Sequence, residues 1–312
     1  MNKTNLDKRI YKAQCYGNVE PIEYMTPYPN LPALVEGQNV KYKDHLLYHD
    51  LNMTNEDFFK LVQKTTHWLK ASGAKPKDRV LISGIQFPWA ECIAFAVWTI
   101  GGTLVISNQD DYQTAKSLSK PKLTVQADIN VEKEINAFDE QFEPEFHANL
   151  QDEALIYWTN GKGIRLSHYN LLVNANGVQK KLDLFEQDTY LIQLKSDSTA
   201  WVVLQAILPF YTGAGITSKN PKITISLPNQ FNSANYIVDF DWNKLKNTTP
   251  PRLFITPENT AVVSVGSSPV HMTKLEIKNK SLNISGHSVM MGYFDKKESE
   301  NIFTEGALVL QK

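Results

Sequence analysis

The sequence predicts an α/β fold with two stacked αβ subdomains and a β-rich, distorted barrel-like third part. Apolar strands alternate with amphipathic helices over two successive stretches, the connections between them are short, and the last third changes to short alternating segments. With 312 residues, 42% of them hydrophobic, the chain can build a large core. We expect an N-terminal arm (1–40), a first αβ subdomain (41–150), a second, shortened one (151–250) and the β-rich part (251–312).

The first stretch supplies a strand–helix–strand series after an irregular start. Residues 1–38 carry prolines among tyrosines, which predicts an extended surface arm. Val40–Tyr48 alternates loosely and is interpreted as a hairpin. Thr54–Asp57 is a capping-box pattern that begins a helix, and Gly73 ends it. Further helices are expected at about 89–100 and 110–119. Strands are expected at Arg79–Ile85, Thr103–Ser107 and Lys122–Gln126, the order of a parallel, doubly wound layer.

A second series of the same kind follows, and then the pattern changes. We expect strands at Ala154–Thr159, Tyr190–Leu194 and Ile223–Ser226, with helices at His168–Leu182 and Ser198–Ile207. After Pro250 the segments are short and alternating, which indicates antiparallel strands. These are Arg252–Ile255, Ala261–Val265, Lys274–Lys278 and Ser281–Ser285, with a tight turn at Lys278–Lys280.

The stretch from Ala154 onward holds the main candidate for a ligand site. An apolar strand ends in Thr159-Asn160-Gly161-Lys162-Gly163. Glycines let backbone N–H groups approach phosphate oxygens, and a lysine adds a point charge, so Thr159–Lys162 is a candidate phosphate site. The same residues also suit an ordinary turn with a solvated lysine. The loop alone leaves both interpretations open.

Composition and missing motifs exclude several function classes. A formal net charge of −1 argues against nucleic acid or an anionic membrane as the main partner. The sequence contains no apolar run of 18 residues, so it predicts no membrane span. Its first nine residues are polar and lack the apolar stretch of a signal peptide. Cys15 and Cys92 lie far apart, which favours a reduced, cytoplasmic location. We find no Walker loop, no G-x-G-x-x-G, no G-x-S-x-G elbow and no metal-ligand spacing.

Five segments, in order, resemble the N-terminal domain of the adenylate-forming superfamily. That group contains acyl- and aryl-CoA ligases, non-ribosomal peptide adenylation domains and firefly luciferases. Ser167–Leu171 stands where the family has Thr-His-x-Asn-Leu, and Gly286–Tyr293 is similar to its Gly-x-x-Val-Met-x-Gly-Tyr phrase. The five segments are Leu69–Val80, Phe87–Gly102, Leu155–Leu172, Pro209–Gly213 and Ser285–Phe294.

The resemblance implies an AMP-forming acid–CoA ligase-like protein that binds a carboxylic acid or its acyl-adenylate. ATP, magnesium and CoA are the implied cofactors. ATP phosphates would lie at Thr159–Lys162, and Phe254–Glu258 would stand for the adenine and magnesium motif Tyr-Gly-x-Thr-Glu, with Glu258 as the metal ligand. The substrate pocket would be lined by Tyr211, Thr212, Gly215 and His168. The alternatives stay open that Glu258 is a loop acid, that His168 is a histidine satisfied by backbone and that Tyr211 is a core residue.

Departures from the family pattern argue against catalysis of the ATP-dependent reaction. The family's phosphate loop, Thr-Ser-Gly-Thr-Thr-Gly-x-Pro-Lys-Gly, is much longer than Thr159–Gly163. Ile255 and Pro257 replace the glycine and threonine of the adenine motif, and Thr212 replaces the pocket histidine. The ribose-binding Thr-Gly-Asp and the small domain with the catalytic lysine are expected to be absent, and a separate protein is a candidate supplier of that domain. We therefore expect impaired or no ATP chemistry; the alternative is a non-catalytic pseudoenzyme that binds an acyl group or a partner.

Overall fold

The structure is a computed structural model that describes residues 4–231, 233–242, 247–278, 280–304 and 306–311. In chain order its α-helices are α1 (Asn5–Gln14), α2 (Pro32–Tyr42), α3 (Asn55–Ala71), α4 (Trp89–Thr99), α5 (Tyr112–Ser119), α6 (Val131–Ile135), α7 (His168–Leu182), α8 (Thr199–Trp201), α9 (Leu208–Thr212) and α10 (Lys296–Glu300). A π-helical segment, Val202–Ile207, joins α8 to α9, and 3₁₀ turns lie at His49–Leu51 and Pro257–Asn259.

The strands form three sheets. In chain order they are β1 (Leu46–Tyr48), β2 (Met53–Thr54), β3 (Arg79–Ser83), β4 (Thr103–Ser107), β5 (Leu123–Gln126), β6 (Glu153–Thr159), β7 (Lys162–Ser167), β8 (Thr189–Leu191), β9 (Gly215–Ile216), β10 (Ile223–Ser226), β11 (Tyr236–Asp239), β12 (Arg252–Ile255), β13 (Val262–Val265), β14 (Ser268–Pro269), β15 (Thr273–Lys278), β16 (Ser281–Gly286) and β17 (Leu308–Gln311). The predicted α/β class is confirmed.

The first sheet has the order β5-β3-β4-β6-β7. Strands β3, β4 and β5 run parallel, as predicted. Strand β6, which was expected in the second series, joins this sheet parallel to β4, and β7 returns antiparallel to β6. Helix α4 is almost wholly apolar and is buried along its length, because it packs inside the molecule rather than at its surface. The predicted parallel layer therefore exists, and the carboxyl ends of β3, β4, β5 and β6 meet at one edge.

The second sheet has nine strands in the order β14-β13-β12-β11-β10-β8-β9-β1-β2. Its central strands, β9, β8, β10, β11 and β12, are parallel, and β13 and β14 add an antiparallel edge. The β-rich third part is a three-stranded antiparallel sheet, β15-β16-β17. Lys278 pairs with Ser281, as the predicted turn requires, although Asn279 itself lies outside the described residues.

The two large sheets share one core. The rings of Phe58 on α3, Phe95 on α4 and Phe210 on α9 are fully buried and contact one another, with centroids 4.7 to 6.0 Å apart. Strands β6 and β7 complete the first sheet beyond the boundary predicted at residue 150, and β12 to β14 belong to the second sheet beyond residue 250. The boundaries themselves stay a prediction.

The prediction of an extended arm over residues 1–38 was wrong, because α1 and α2 lie there. Thr4 and Asp7 form a capping box at the start of α1. Pro32 occupies the first turn of α2, where its missing N–H has no cost. The prediction of a hairpin at Val40–Tyr48 was also wrong, because the chain stays helical to Tyr42 and only Leu46–Tyr48 is a strand.

Among the described residues, no helix has the length and apolar character needed to cross a membrane.

Candidate functional site

The candidate phosphate loop is a tight hairpin turn. Thr159 pairs with Lys162 across β6 and β7, so only Asn160 and Gly161 form the connection. Both have positive φ, 52° and 74°, as a two-residue type I′ turn requires, and Asn-Gly is the preferred sequence for it. Lys162 and Gly163, interpreted from the sequence as part of the loop, belong to β7. A Cβ at Gly163 would lie 2.8 Å from the Trp158 ring, so packing explains this glycine.

An acidic side chain occupies the turn. The Gly161 N–H donates to Asp111 Oδ1 at 2.7 Å. Asp111 is largely buried and is held in place by Asn108, whose Oδ1 accepts from the Asp111 N–H at 2.8 Å. Asn108 Nδ2 also lies 3.4 Å from Thr159 Oγ1. The backbone donor that a phosphate would need is thus bonded to a carboxyl oxygen.

Lys162 and Glu258 come together through Tyr293. The Lys162 ammonium lies 5.1 Å from the Tyr293 ring centroid, a cation–π contact. The Tyr293 hydroxyl donates to Glu258 Oε1 at 2.9 Å, and Thr256 Oγ1 donates to Glu258 Oε2 at 2.5 Å. Both carboxylate oxygens of the predicted magnesium ligand therefore accept protein hydrogen bonds. The described residues contain no group of three or more His, Cys, Asp or Glu side chains that could hold a metal ion.

Three carboxylates act on the strand that leads into the turn. Tyr157 lies on β6, two residues before Thr159. Burial is the main cause that raises the pKa of Tyr157; Asp197, Asp111 and Glu258 raise it further, and a hydrogen bond with Thr159 opposes the rise. Because negative charge near a phenol disfavours the phenolate, the same three carboxylates would disfavour a phosphate placed beside this tyrosine.

The predicted pocket residues lie elsewhere, in the interior. Tyr211 and Thr212 are in α9, and Gly215 is in β9 beside His49. Thr212 Oγ1 donates to the Leu208 carbonyl at 2.8 Å, as helix hydroxyls commonly do. The Tyr211 ring packs edge-on against Tyr28, with centroids 5.8 Å apart.

Two further predicted site residues are core residues. His168 is 1% exposed, its Nδ1 accepts the Leu31 N–H at 3.3 Å, and burial lowers its pKa to about 4. Phe254 is buried in β12. The ligand-binding roles predicted for Tyr211, Thr212, Gly215, His168 and Phe254 stay predictions, and the structure brings none of the five to the turn.

A cavity of about 910 Å³ lies at the carboxyl ends of the parallel strands, where open α/β sheets bind ligands. We call it the strand-end cavity. It lies between the ends of β3, β4 and β5, the start of α4, and the chain that follows β8. Ser107 and Gln109 on its wall flank Asn108, so the cavity adjoins the hairpin turn. None of the ten predicted site residues is among its lining residues.

Glu91 is the most unusual side chain of this wall. It is 0% exposed, at the first turn of the apolar helix α4. Its Oε1 accepts hydrogen bonds from Trp201 Nε1 and Gln205 Nε2, each at 2.7 Å. Burial raises the pKa of Glu91, and these two hydrogen bonds oppose the rise. Within the described part of the chain, its Oε2 has no hydrogen-bond partner. Sequence reasoning missed Glu91, although a single acid in an otherwise apolar helix was a usable signal.

Solved structures share this architecture. The chain aligns with the N-terminal domain of FACL13 from Mycobacterium tuberculosis with a TM-score of 0.77 at 12% identity, over 90% of this chain and 95% of that one. For the NpsA N-terminal subdomain of Klebsiella oxytoca in complex with anthranilyl-AMSN the TM-score is 0.74 at 16% identity, over 91% and 95%. A protein of Rhodopseudomonas palustris described as a long-chain-fatty-acid CoA ligase gives 0.74 at 14%, over 90% and 94%.

The chain therefore shares the fold of these N-terminal ligase and adenylation domains. No family model matches the sequence, and no curated protein matches it. At 12 to 16% identity these alignments establish a shared fold, and a shared fold does not by itself imply a shared function.

Proposed function

We propose that this protein uses the adenylate-forming fold to bind a small organic ligand and does not itself form acyl-adenylates from ATP. The observation that carries the proposal is the hydrogen bond from the Gly161 N–H to Asp111 Oδ1, at 2.7 Å. Adenylation joins two anions and needs cations and free donors around the transferring phosphate. Here a carboxylate already takes the donor of the turn.

The other predicted ATP contacts support the same proposal. Lys162 rests on the Tyr293 ring, and both oxygens of Glu258 accept hydrogen bonds within the protein. ATP binding would require Asp111 and Glu258 to give up these partners while a polyanion enters a negative field. Loss of one donor to transition-state charge can cost about two to three orders of magnitude in rate, and several are missing here.

CoA fits the strand-end cavity no better. Its phosphates would meet Asp50, Glu91, Asp128 and Asp197, and the cavity wall offers Lys195 as the opposing cation among the described residues. Like charges at close range disfavour binding, so we do not assign CoA to this cavity.

A second candidate function is binding of an acyl-adenylate. The observation that favours it is the fold shared with NpsA, whose N-terminal subdomain was solved in complex with anthranilyl-AMSN. This candidate needs the turn to release Asp111. It keeps the predicted carboxylic acid ligand, and it allows a separate protein to complete the catalytic centre.

The test combines binding and turnover. ATP–pyrophosphate exchange is measured with a panel of fatty and aromatic acids, alongside thermal shifts with ATP–Mg and with anthranilyl-AMSN. We expect no exchange and no shift. The shifts do not require a further domain, so they decide the question even if adenylate formation needs a second chain.

Lys162→Ala and Asp111→Asn are the informative variants. Acid-dependent exchange that disappears in Lys162→Ala would establish a ligase and overturn the proposal. A thermal shift with anthranilyl-AMSN alone would favour the second candidate. Asp111→Asn keeps the hydrogen-bond acceptor and removes the charge, so a gain of ATP binding in this variant would show that the acid is what excludes phosphate.

A further inference from the structure

The strand-end cavity is lined by more acidic than basic side chains. Its lining includes four carboxylates, those of Asp50, Glu91, Asp128 and Asp197, and one ammonium, that of Lys195. Amide and hydroxyl side chains from the strand ends complete the polar part of the wall. A cavity with this excess of acid attracts cations and repels anions, and low-dielectric walls strengthen both effects.

Charge alone does not define a site, but Glu91 adds an independent observation. The side chain is fully buried on the cavity wall, and Oε1 alone satisfies both the Trp201 indole and the Gln205 amide. No described residue donates a hydrogen bond to its Oε2. A buried carboxylate oxygen without a donor is costly, so the arrangement is complete only when a further donor reaches it.

A second polar atom on the same wall is also unpartnered. Ser107 ends β4, is 6% exposed, and its Oγ has no hydrogen-bond partner. Both residues line the same cavity, and buried polar atoms in natural proteins are normally hydrogen-bonded. Both can interact with a ligand that has several donors.

The remaining wall suits an alkyl chain. Ile85, Ala90, Leu191, Ile192 and Ile216 supply apolar surface. Phe87 is 40% exposed and stands on the wall with its ring 4.7 Å from that of Tyr48. An exposed aromatic ring beside acids is a favourable neighbour for an organic cation.

We propose that the strand-end cavity binds an aliphatic amine, with its ammonium group on Glu91 and its alkyl chain along the apolar wall. A second ammonium group would lie near the exposed Asp128 at the end of β5. This inference names the ligand class for the binding function proposed above, and it rests on that proposal.

The experiment is isothermal titration calorimetry of the full chain with 1,4-diaminobutane. The neutral isostere 1,4-butanediol is the matched ligand control, since it has the same length and no charge. We expect the diamine to bind and the diol to be at least about tenfold weaker, because one desolvated charge pair is worth more than a neutral hydrogen bond.

Two variants locate the site. Glu91→Gln keeps an oxygen for Trp201 and Gln205 and removes the charge, and Asp128→Asn removes a charge from an exposed position where folding is not at risk. We expect at least about tenfold weaker binding for Glu91→Gln and a smaller loss for Asp128→Asn. Glu132→Gln, on the exposed face of α6, makes the same change in net charge outside the cavity and should bind like the wild type.

Three outcomes would overturn the inference: no diamine binding at millimolar concentration, equal binding of the diol, or unchanged binding in both cavity variants. The two proposals fail separately. Acid-dependent pyrophosphate exchange would refute the absence of ATP chemistry, whereas a diamine that does not bind would refute only the ligand class.

Discussion

Acidification should destabilise this protein through His168. The imidazole is fully enclosed at the first position of α7, and its Nδ1 accepts the Leu31 N–H at 3.3 Å. This bond requires the neutral ring with its proton on Nε2. Burial lowers the pKa of His168 from 6.5 to about 4, and the charge of Asp152 only partly opposes it.

The sign and size of the effect follow from these two pKa values. The unfolded chain takes up a proton at His168 near pH 6.5, and the folded chain does so only near pH 4, so the stability is fully present above pH 6.5 and falls as the pH drops toward 4. One pKa unit corresponds to about 1.4 kcal/mol, which gives a loss of about 2 kcal/mol between pH 7 and pH 5 and about 3 kcal/mol by pH 4.

Urea unfolding at pH 7 and pH 5 tests this, with wild type, His168→Asn and His45→Asn. Asparagine places Oδ1 where Nδ1 accepts from Leu31 and does not titrate. The wild type should lose about 2 kcal/mol more than His168→Asn over this range, and the control at exposed His45 should behave as the wild type does. An equal pH dependence of wild type and His168→Asn would refute the reasoning.

Three stability predictions can be checked by urea unfolding. Gly286→Ala should cost about 3 kcal/mol, because its Cβ would lie 2.1 Å from the Met272 carbonyl oxygen at a φ of +129°. Gly161→Ala is its matched control, with positive φ but no atom within 4 Å, and should cost only about 1 kcal/mol; equal losses would contradict the steric argument. Glu91→Ala should cost about 3 kcal/mol or more, and Glu91→Gln about 1, since only alanine leaves two buried donors unpaired. Thr54→Ala should cost about 1 kcal/mol through the lost helix cap, and no change would contradict the capping role.

Helix starts could be predicted from the sequence where a capping motif within a few residues determines them. The capping boxes at Thr54 and Ser167 mark the starts of α3 and α7, and both helices were predicted. The same signal stands at Thr4, but the prolines from Pro21 to Pro32 led to an irregular arm being predicted for all of residues 1–38. At Pro32 a residue that usually breaks helices begins one, since the first turn needs no N–H from it.

At the candidate site, the turn could be predicted from the sequence, but the long-range contacts could not. Asn160-Gly161 between apolar segments is a strong hairpin signal, so the short turn could be read from the sequence. That Asp111, 50 residues earlier, bonds to this turn could not be read, because it depends on the packing of α5 beside β6. The same is true of Glu91, whose hydrogen-bond donors lie 110 and 114 residues away.

Asp197 connects the turn electrostatically with the strand-end cavity. Asp197 lines the cavity and also raises the pKa of Tyr157 beside the turn, together with Asp111 and Glu258. One like-charge pair 4 Å apart costs about 4 kcal/mol at an effective dielectric constant of 20, and an opposite-charge pair gains as much before desolvation. A phosphate would meet more acids than cations, with Asp111 and Glu258 near Lys162 at the turn and four acids against Lys195 in the cavity, whereas an ammonium group would meet the opposite balance. On the proposal made above, the fold sets the position of the pocket, and its acidic side chains select a cationic ligand over an anionic one.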